Sequence, residues 1–138
     1  MDKIFNTISI IAALIGGCIS NIIGGFDILI STLALLVVLD YATGIIKAAY
    51  LKELSSEIGF KGILKKVTMF IVVTAACSMQ RIIGNSLPLR DIVIMFFVCN
   101  EGLSLLENAA VMIPIPKKMK EVLLQLRDKA ENGESENE

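Results

Sequence analysis

The sequence of 138 residues has no histidine, only three cysteines and a charged content of 20%. Without histidine, and without a paired nucleophile and base, no catalytic constellation is present, so we do not expect an enzyme. Cys18, Cys77 and Cys99 lie singly in separate apolar runs. An odd count at irregular spacing gives neither a disulfide framework nor a metal site, and we expect no metal and no cofactor.

Apolar residues are what the sequence has in excess: they make up 54% of the chain, and the mean hydropathy is +0.71. Ordinary soluble domains are about 45–50% apolar and about 25% charged. A soluble domain of roughly this length buries only about two-thirds of its unfolded surface, so it would leave large apolar patches exposed. The composition therefore predicts one small membrane domain.

Four apolar segments can cross a bilayer as helices, which takes about 20 residues with a range of about 17–25. They cover residues 4–23, 28–46, 67–83 and 92–113. Gly24 and Gly25 can turn between the first two segments, and Asp27 can cap the second helix, which predicts an antiparallel hairpin. Pro114 and Pro116 end the fourth segment. We predict an all-α membrane protein with a bundle of four transmembrane helices.

The lysines predict the orientation of this domain, residues 1–115, because cytoplasmic loops carry an excess of Lys and Arg. With Lys3 in the cytoplasm, four crossings place the basic segments 47–66 and 117–129 there as well, together with both termini. The lysines expected at this membrane surface are Lys61, Lys65, Lys66, Lys117, Lys118 and Lys120. Three crossings remain an alternative, in which residues 4–23 lie on the membrane surface.

Small and polar residues recur along the first segment at steps of three and four, and such a stripe lets membrane helices approach closely. It favours a true crossing. The residues that we expect to serve helix packing, one of them in the second segment, are Ala13, Gly16, Ser20 and Gly44.

After Pro116 the apolar residues follow a helical period, with lysines on the other face. Residues 116–130 are therefore predicted to form a basic amphipathic helix on the anionic inner leaflet. Packing against a neighbouring subunit is the alternative. Residues 131–138 are acidic and polar enough to predict a disordered tail. Aromatic residues do not alternate with the basic ones, so we expect no nucleic-acid partner.

Polar residues in the fourth segment share one arc of the helix about 120° wide. They are Asn100, Glu101, Ser104, Glu107 and Asn108, and a smaller group in the second segment comprises Asp40, Thr43 and Lys47. Each charge near the bilayer centre costs about 2.5–3.5 kcal/mol, so these side chains must meet protein or water. Lys47, Lys65 and Lys66 are the candidate bases of one charged layer. Two interpretations stay open: a network sealed within the bundle, or a wall that becomes water-lined when subunits associate.

Three blocks of sequence carry a resemblance to a known family. They are LDYATGIIKA (39–48), LSSEIGFKGILKKV (54–67) and NEGLSLLENAAVMIPIPKKMKEVLLQL (100–126). These blocks resemble the toxin-secretion/phage-lysis holin family, small phage or prophage proteins of the bacterial host cytoplasmic membrane. The resemblance implies a homo-oligomer that forms a non-specific pore and releases an endolysin or a toxin without binding it stably. Membrane lipids are then the other partners.

Intramembrane carboxylates are also typical of ion and proton pathways. A small ion-selective channel or transporter subunit is therefore the competing hypothesis, and a membrane scaffold without a pore is a third.

Overall fold

The computed structural model describes residues 1–132, and all regular structure in that range is helical. The five helices are α1 (Asp2–Ile22), α2 (Ile28–Tyr50), α3 (Ser56–Ile83), α4 (Leu89–Ala110) and α5 (Lys117–Asn132). The predicted all-α fold is confirmed. Helices α1, α2 and α3 are long and apolar enough to cross a membrane, as a small helical membrane protein requires. The crossing by α4, which overlaps the fourth predicted segment, stays a prediction.

The helix boundaries follow from local chemistry. Gly24 and Gly25 have positive φ angles of 82° and 98°, which glycine adopts at little cost, and they turn the chain between α1 and α2. The Asp27 carboxylate then accepts a hydrogen bond of 3.0 Å from the Ile30 amide, so the predicted cap of α2 is confirmed. Helix α3 is longer than the third predicted segment, 67–83, because residues 56–66 are helical as well. They carry an exposed ion pair between Glu57 and Lys61.

Helices α2, α3 and α4 pack around an apolar core in the half of the bundle nearest the α1–α2 turn. Leu33 of α2, Val73 of α3 and Ile94 of α4 are fully buried at its centre. The remaining members of this core are Ile23, Ile30, Val37 and Met69. The other half of these three helices holds three buried charges, Asp40, Lys66 and Glu101, and we call it the polar half.

Helix α1 lies outside this bundle and has no buried residue. The predicted hairpin of the first two helices is wrong, because among the described residues α1 contacts α3 and not α2. The Arg81 guanidinium of α3 donates a hydrogen bond to the Asn21 carbonyl at the end of α1. The short turn therefore connects α1 and α2 without packing them against each other.

Helix α5 folds back along α4 of its own chain. A Cβ atom on Gly102 would lie 3.3 Å from the Leu123 side chain, so the glycine lets the two helices approach closely. The Lys120 ammonium lies 3.3 Å from the Glu107 carboxylate. Residue number rises along α5 as it falls along α4, so the two helices run antiparallel. Helix α5 includes residues 131 and 132, and the rest of the predicted tail, 133–138, lies outside the described residues.

Candidate functional site

One buried lysine joins the three helices of the bundle. The Lys66 ammonium of α3 lies 2.6 Å from the Asp40 carboxylate of α2 and 2.5 Å from the Glu101 carboxylate of α4. The three side chains are only 11%, 10% and 4% exposed, respectively. A charge-assisted hydrogen bond of this length is stronger than one between neutral groups. Each helix therefore contributes one charge to a single buried contact.

The second oxygen of Asp40 is also satisfied. The Asn108 amide of α4 donates to it over 3.0 Å and lies 3.4 Å from the Asp40 main-chain carbonyl. The Thr43 hydroxyl, 3.5 Å from the same amide, is held by the Leu39 carbonyl of its own helix. Among the described residues, every buried side-chain nitrogen or oxygen has a hydrogen-bond partner. We call Asp40, Lys66, Glu101 and Asn108 the Lys66 network.

The network holds two carboxylates against one ammonium. The cost of removing one charge therefore depends on which charge is removed. Loss of one carboxylate leaves an ordinary ion pair, whereas loss of the ammonium leaves two carboxylates buried without a counter-charge, which is strongly unfavourable. Lys66 is thus the residue on which the polar half of the bundle depends.

Two cavities flank the network. The first, of about 430 Å³, lies where α2 ends and α3 begins, and Asp40 and Lys66 line it. The second, of about 680 Å³, lies between α3, α4 and α5, and Glu101 lines it. Lys65 and Ser104 border both cavities. The Lys66 network therefore lies between two openings, with α2 and α3 charges on one side and the α4 charge on the other.

The second cavity receives most of the polar arc predicted for α4. Asn100, Glu101, Ser104 and Glu107 all line it. Leu124 and Arg127 of α5 complete its wall. The arc thus divides in two: Glu101 and Asn108 are engaged within the bundle, whereas Asn100, Ser104 and Glu107 border an open space. Whether this part of the arc becomes water-lined when subunits associate stays a prediction.

The structure brings together three of the six charges expected in one layer: Asp40, Glu101 and Lys66. Lys66 is not at the membrane surface as predicted, because its position on α3 directs it into the bundle, where it is 9% exposed. Glu107 pairs instead with Lys120. Lys47 and Lys65 line the first cavity without an ion pair to any described residue.

Other predicted residues are not members of the Lys66 network. Lys61, Lys117 and Lys118 are exposed, as expected of surface lysines. Gly44 faces the Asn108 amide, which would lie 3.6 Å from an added Cβ. By contrast, a Cβ on Gly16 would meet no atom within 4 Å. The packing role of the α1 stripe that includes Ala13, Gly16 and Ser20 therefore stays a prediction.

Sequence reasoning missed a second buried charged site, centred on Arg90 at the opposite end of the bundle. Its guanidinium donates to the Ile23 carbonyl over 2.7 Å and to the Gly25 carbonyl over 3.2 Å. It also pairs with the Asp27 carboxylate over 2.7 Å and with Asp91 over 3.0 Å. The hydrogen bond from Arg90 holds the pKa of Asp27 below its usual value of 3.8. We call these contacts the Arg90 clamp.

The clamp explains the glycine at position 24. A Cβ atom there would lie 2.8 Å from the Arg90 Nε and 2.9 Å from the Cys77 sulfur, too close for any larger residue. A signal for the clamp exists in the sequence. The predicted topology places Asp27 and Arg90 in two turns on the same side of the membrane, where opposite charges can meet.

Comparison with known proteins places the chain in a family. The model of the bacteriophage holin family matches residues 17–128. The chain belongs to the bacteriophage holin family. The resemblance seen in the sequence is thereby confirmed, and both the Lys66 network and the Arg90 clamp lie within the matched residues. Holins are membrane proteins without enzymatic activity, and membership together with the apolar helices makes this a protein of the cytoplasmic membrane.

Individual proteins are similar to this chain over most or about half of its length. An uncharacterized 14.9 kDa protein in the nagH 3′ region of Clostridium perfringens is 39% identical over 131 residues, which are 94% of this chain and 99% of the relative. An uncharacterized protein of Listeria monocytogenes is 38% identical over 122 residues, 88% of this chain and 86% of the relative. A "Probable holin" of Bacillus phage phi105 is 37% identical over 73 residues, 53% of this chain and 54% of the relative. No solved structure matches.

Proposed function

We propose that this protein is a holin that assembles in the bacterial cytoplasmic membrane and opens a non-specific pore through which an endolysin, or a secreted toxin, leaves the cell. The observation that carries the proposal is the polar arc of α4. It borders an open cavity of about 680 Å³ at the level of the buried Lys66 network. Family membership and the phi105 relative support the same role.

The Lys66 network is the closed-state contact in this proposal. While Lys66 holds Asp40 and Glu101, α2, α3 and α4 stay together and the charges of the polar half are neutralised within one subunit. Association of subunits supplies new polar neighbours, so the arc of α4 can line water in place of its own bundle. Lesions large enough for a folded enzyme need many copies, which makes the working form a homo-oligomer.

Helix α5 covers part of this arc. It pairs Lys120 with Glu107 and sets Leu124 and Arg127 into the wall of the second cavity. Several of its charged side chains are exposed, among them Lys117, Lys118 and Glu121. These charges prefer water or lipid headgroups to hydrocarbon. We infer that α5 and the end of α4 lie at the cytoplasmic face, with both termini on that side.

The test is inducible expression in a bacterium with and without a co-expressed endolysin. Abrupt lysis that requires the endolysin supports the proposal. A small ion-selective channel would dissipate the membrane potential without releasing the endolysin, and a scaffold would do neither. Either of those results would contradict the proposal.

Two variants test the role of the arc. Glu101→Leu and Glu107→Leu should shift the onset of lysis or abolish it while the protein still inserts in the membrane. Glu121→Leu on the exposed surface of α5 is the matched control, because it removes the same charge outside the arc. Unchanged timing in both arc variants, at equal membrane levels, would show that the arc is not part of the pore wall.

A further inference from the structure

The first cavity has the size and lining of a ligand site. Its volume of about 430 Å³ falls within the range of about 300–1,000 Å³ typical of small-molecule pockets. The wall combines apolar side chains with a few polar groups, as such pockets do. The apolar residues that matter here are Ile45, Leu51, Leu54 and Ile58.

Glycines keep this space open. Gly59 and Gly62 of α3 face Tyr41 of α2, and a Cβ on either would lie 3.4 Å and 3.7 Å, respectively, from the nearest tyrosine atom. Gly44 lines the same cavity from α2. Three positions of the wall thus contribute no side-chain volume. Glycines on both helices therefore leave space in the wall of the cavity.

The charges of the lining favour an anion. Three lysines and two carboxylates line it, which leaves one positive charge. Asp40 is already occupied by Lys66 and Asn108. Lys47 and Lys65 make no ion pair with a described residue, and Glu53 is exposed in the loop between α2 and α3. Two ammonium groups therefore remain to bind an anion beside an apolar wall.

The position of the cavity selects the kind of anion. It lies where α2 ends and α3 begins, two helices that are apolar enough to cross a membrane. Basic pockets between transmembrane helices on the cytoplasmic side bind phospholipid headgroups, because the phosphate meets the cations and the glycerol and acyl carbons meet apolar side chains. Free phosphate would use the lysines and leave the apolar wall without a function.

We propose that this cavity binds one membrane phospholipid, with Lys47 and Lys65 binding its phosphodiester and Leu51, Leu54 and Ile58 contacting its apolar part. The site goes beyond pore formation, since it requires neither an endolysin nor an assembled lesion. Asp40 and Lys66 form part of the same cavity wall.

The experiment measures lipid binding to the full-length protein in detergent by native mass spectrometry. The three probes are dioleoyl-phosphatidylglycerol, dioleoylglycerol with the same chains and no phosphate, and inorganic phosphate. The test variant is Lys47→Gln with Lys65→Gln. The matched control is Lys117→Gln with Lys118→Gln, which removes the same charge from exposed positions outside the cavity.

Phosphatidylglycerol should bind the wild type at one site and stabilise it against heat. An anionic lipid gains about 1 kcal/mol per lysine at a membrane surface, so the Lys47 and Lys65 double variant should bind about thirtyfold more weakly. The control should stay within about threefold of the wild type. An equal loss of phosphatidylglycerol affinity in both double variants would show general charge attraction. If dioleoylglycerol or inorganic phosphate binds as tightly as phosphatidylglycerol, the cavity is not a phospholipid site. These results do not depend on lysis, so they separate this proposal from the proposed function.

Discussion

Replacing Lys66 by methionine tests the buried network most directly. Methionine keeps an unbranched side chain of similar length but removes the ammonium that lies 2.6 Å from Asp40 and 2.5 Å from Glu101. Two carboxylates, 10% and 4% exposed, would then lack a counter-charge. Breaking a buried ion pair by removing one partner costs about 3–5 kcal/mol, a large share of the roughly 5–15 kcal/mol that stabilises a domain.

The measurement is equilibrium unfolding of the purified variants in detergent, followed by circular dichroism. Lys61→Met is the matched control on the same helix, because Lys61 pairs with Glu57 at 2.7 Å but both side chains are more than 70% exposed. Exposed pairs contribute about 0–1 kcal/mol. If Lys66→Met loses no more stability than Lys61→Met, the network does not hold the three helices together.

A second variant separates charge from packing. Combining Lys66→Met with Asp40→Asn and Glu101→Gln removes all three charges while it keeps side chains of similar size. The triple variant leaves no buried charge without a counter-charge, so it should recover most of the lost stability. In cells that produce the endolysin, Lys66→Met should bring lysis forward at equal membrane levels, and the triple variant should delay it again.

Three further predictions concern other contacts. Gly24→Ala should destabilise the protein by about 1–3 kcal/mol in the same unfolding assay, because the positive φ angle is strained for alanine and its Cβ would meet Arg90. Asp27→Asn should keep the cap of α2 yet lower stability only where the wild-type carboxyl is ionised. The lowered pKa of Asp27 makes its contribution complete above pH 3.8 and lost as the pH falls further, so unfolding curves of the variant and the wild type should converge at low pH. Leu123→Ala should weaken the packing of α5 against Gly102 and speed amide hydrogen exchange in α5, while exchange in α2 stays slow. If α5 exchanges equally fast in the variant and the wild type, this contact does not hold α5.

Much of the architecture could be predicted from local pattern. The apolar segments predicted the four helices of the membrane domain, and the helical period of apolar residues after Pro116 predicted α5. The Asp27 cap follows from a side-chain oxygen at a helix start. The arc of α4 was visible because 100° per residue fixes which side chains share a face, whatever they contact.

Which side chains contact each other between helices could not be predicted, because this depends on how the helices are rotated against one another. Lys65 and Lys66 are adjacent in sequence and about 100° apart on the helix, so the rotation of α3 alone decides which one reaches Asp40. The fold-back of α5 depends on Gly102 accepting Leu123, a contact between distant positions. In the Arg90 clamp the opposite charges of Asp27 and Arg90 are visible in the sequence, but the hydrogen bonds from Arg90 to main-chain carbonyls have no signature there.

Helix α1 supplies no side chain to the core of α2, α3 and α4, and the Arg90 clamp grips the chain only after α1 has ended. The apolar core therefore contains no side chain from residues 2–22. The Arg90 clamp fixes the turn at Gly24 and Gly25, so the core sets the point at which α1 leaves the bundle, while α1 itself contacts only α3 among the described helices. We therefore expect insertion of α1 and folding of the core to be separable events.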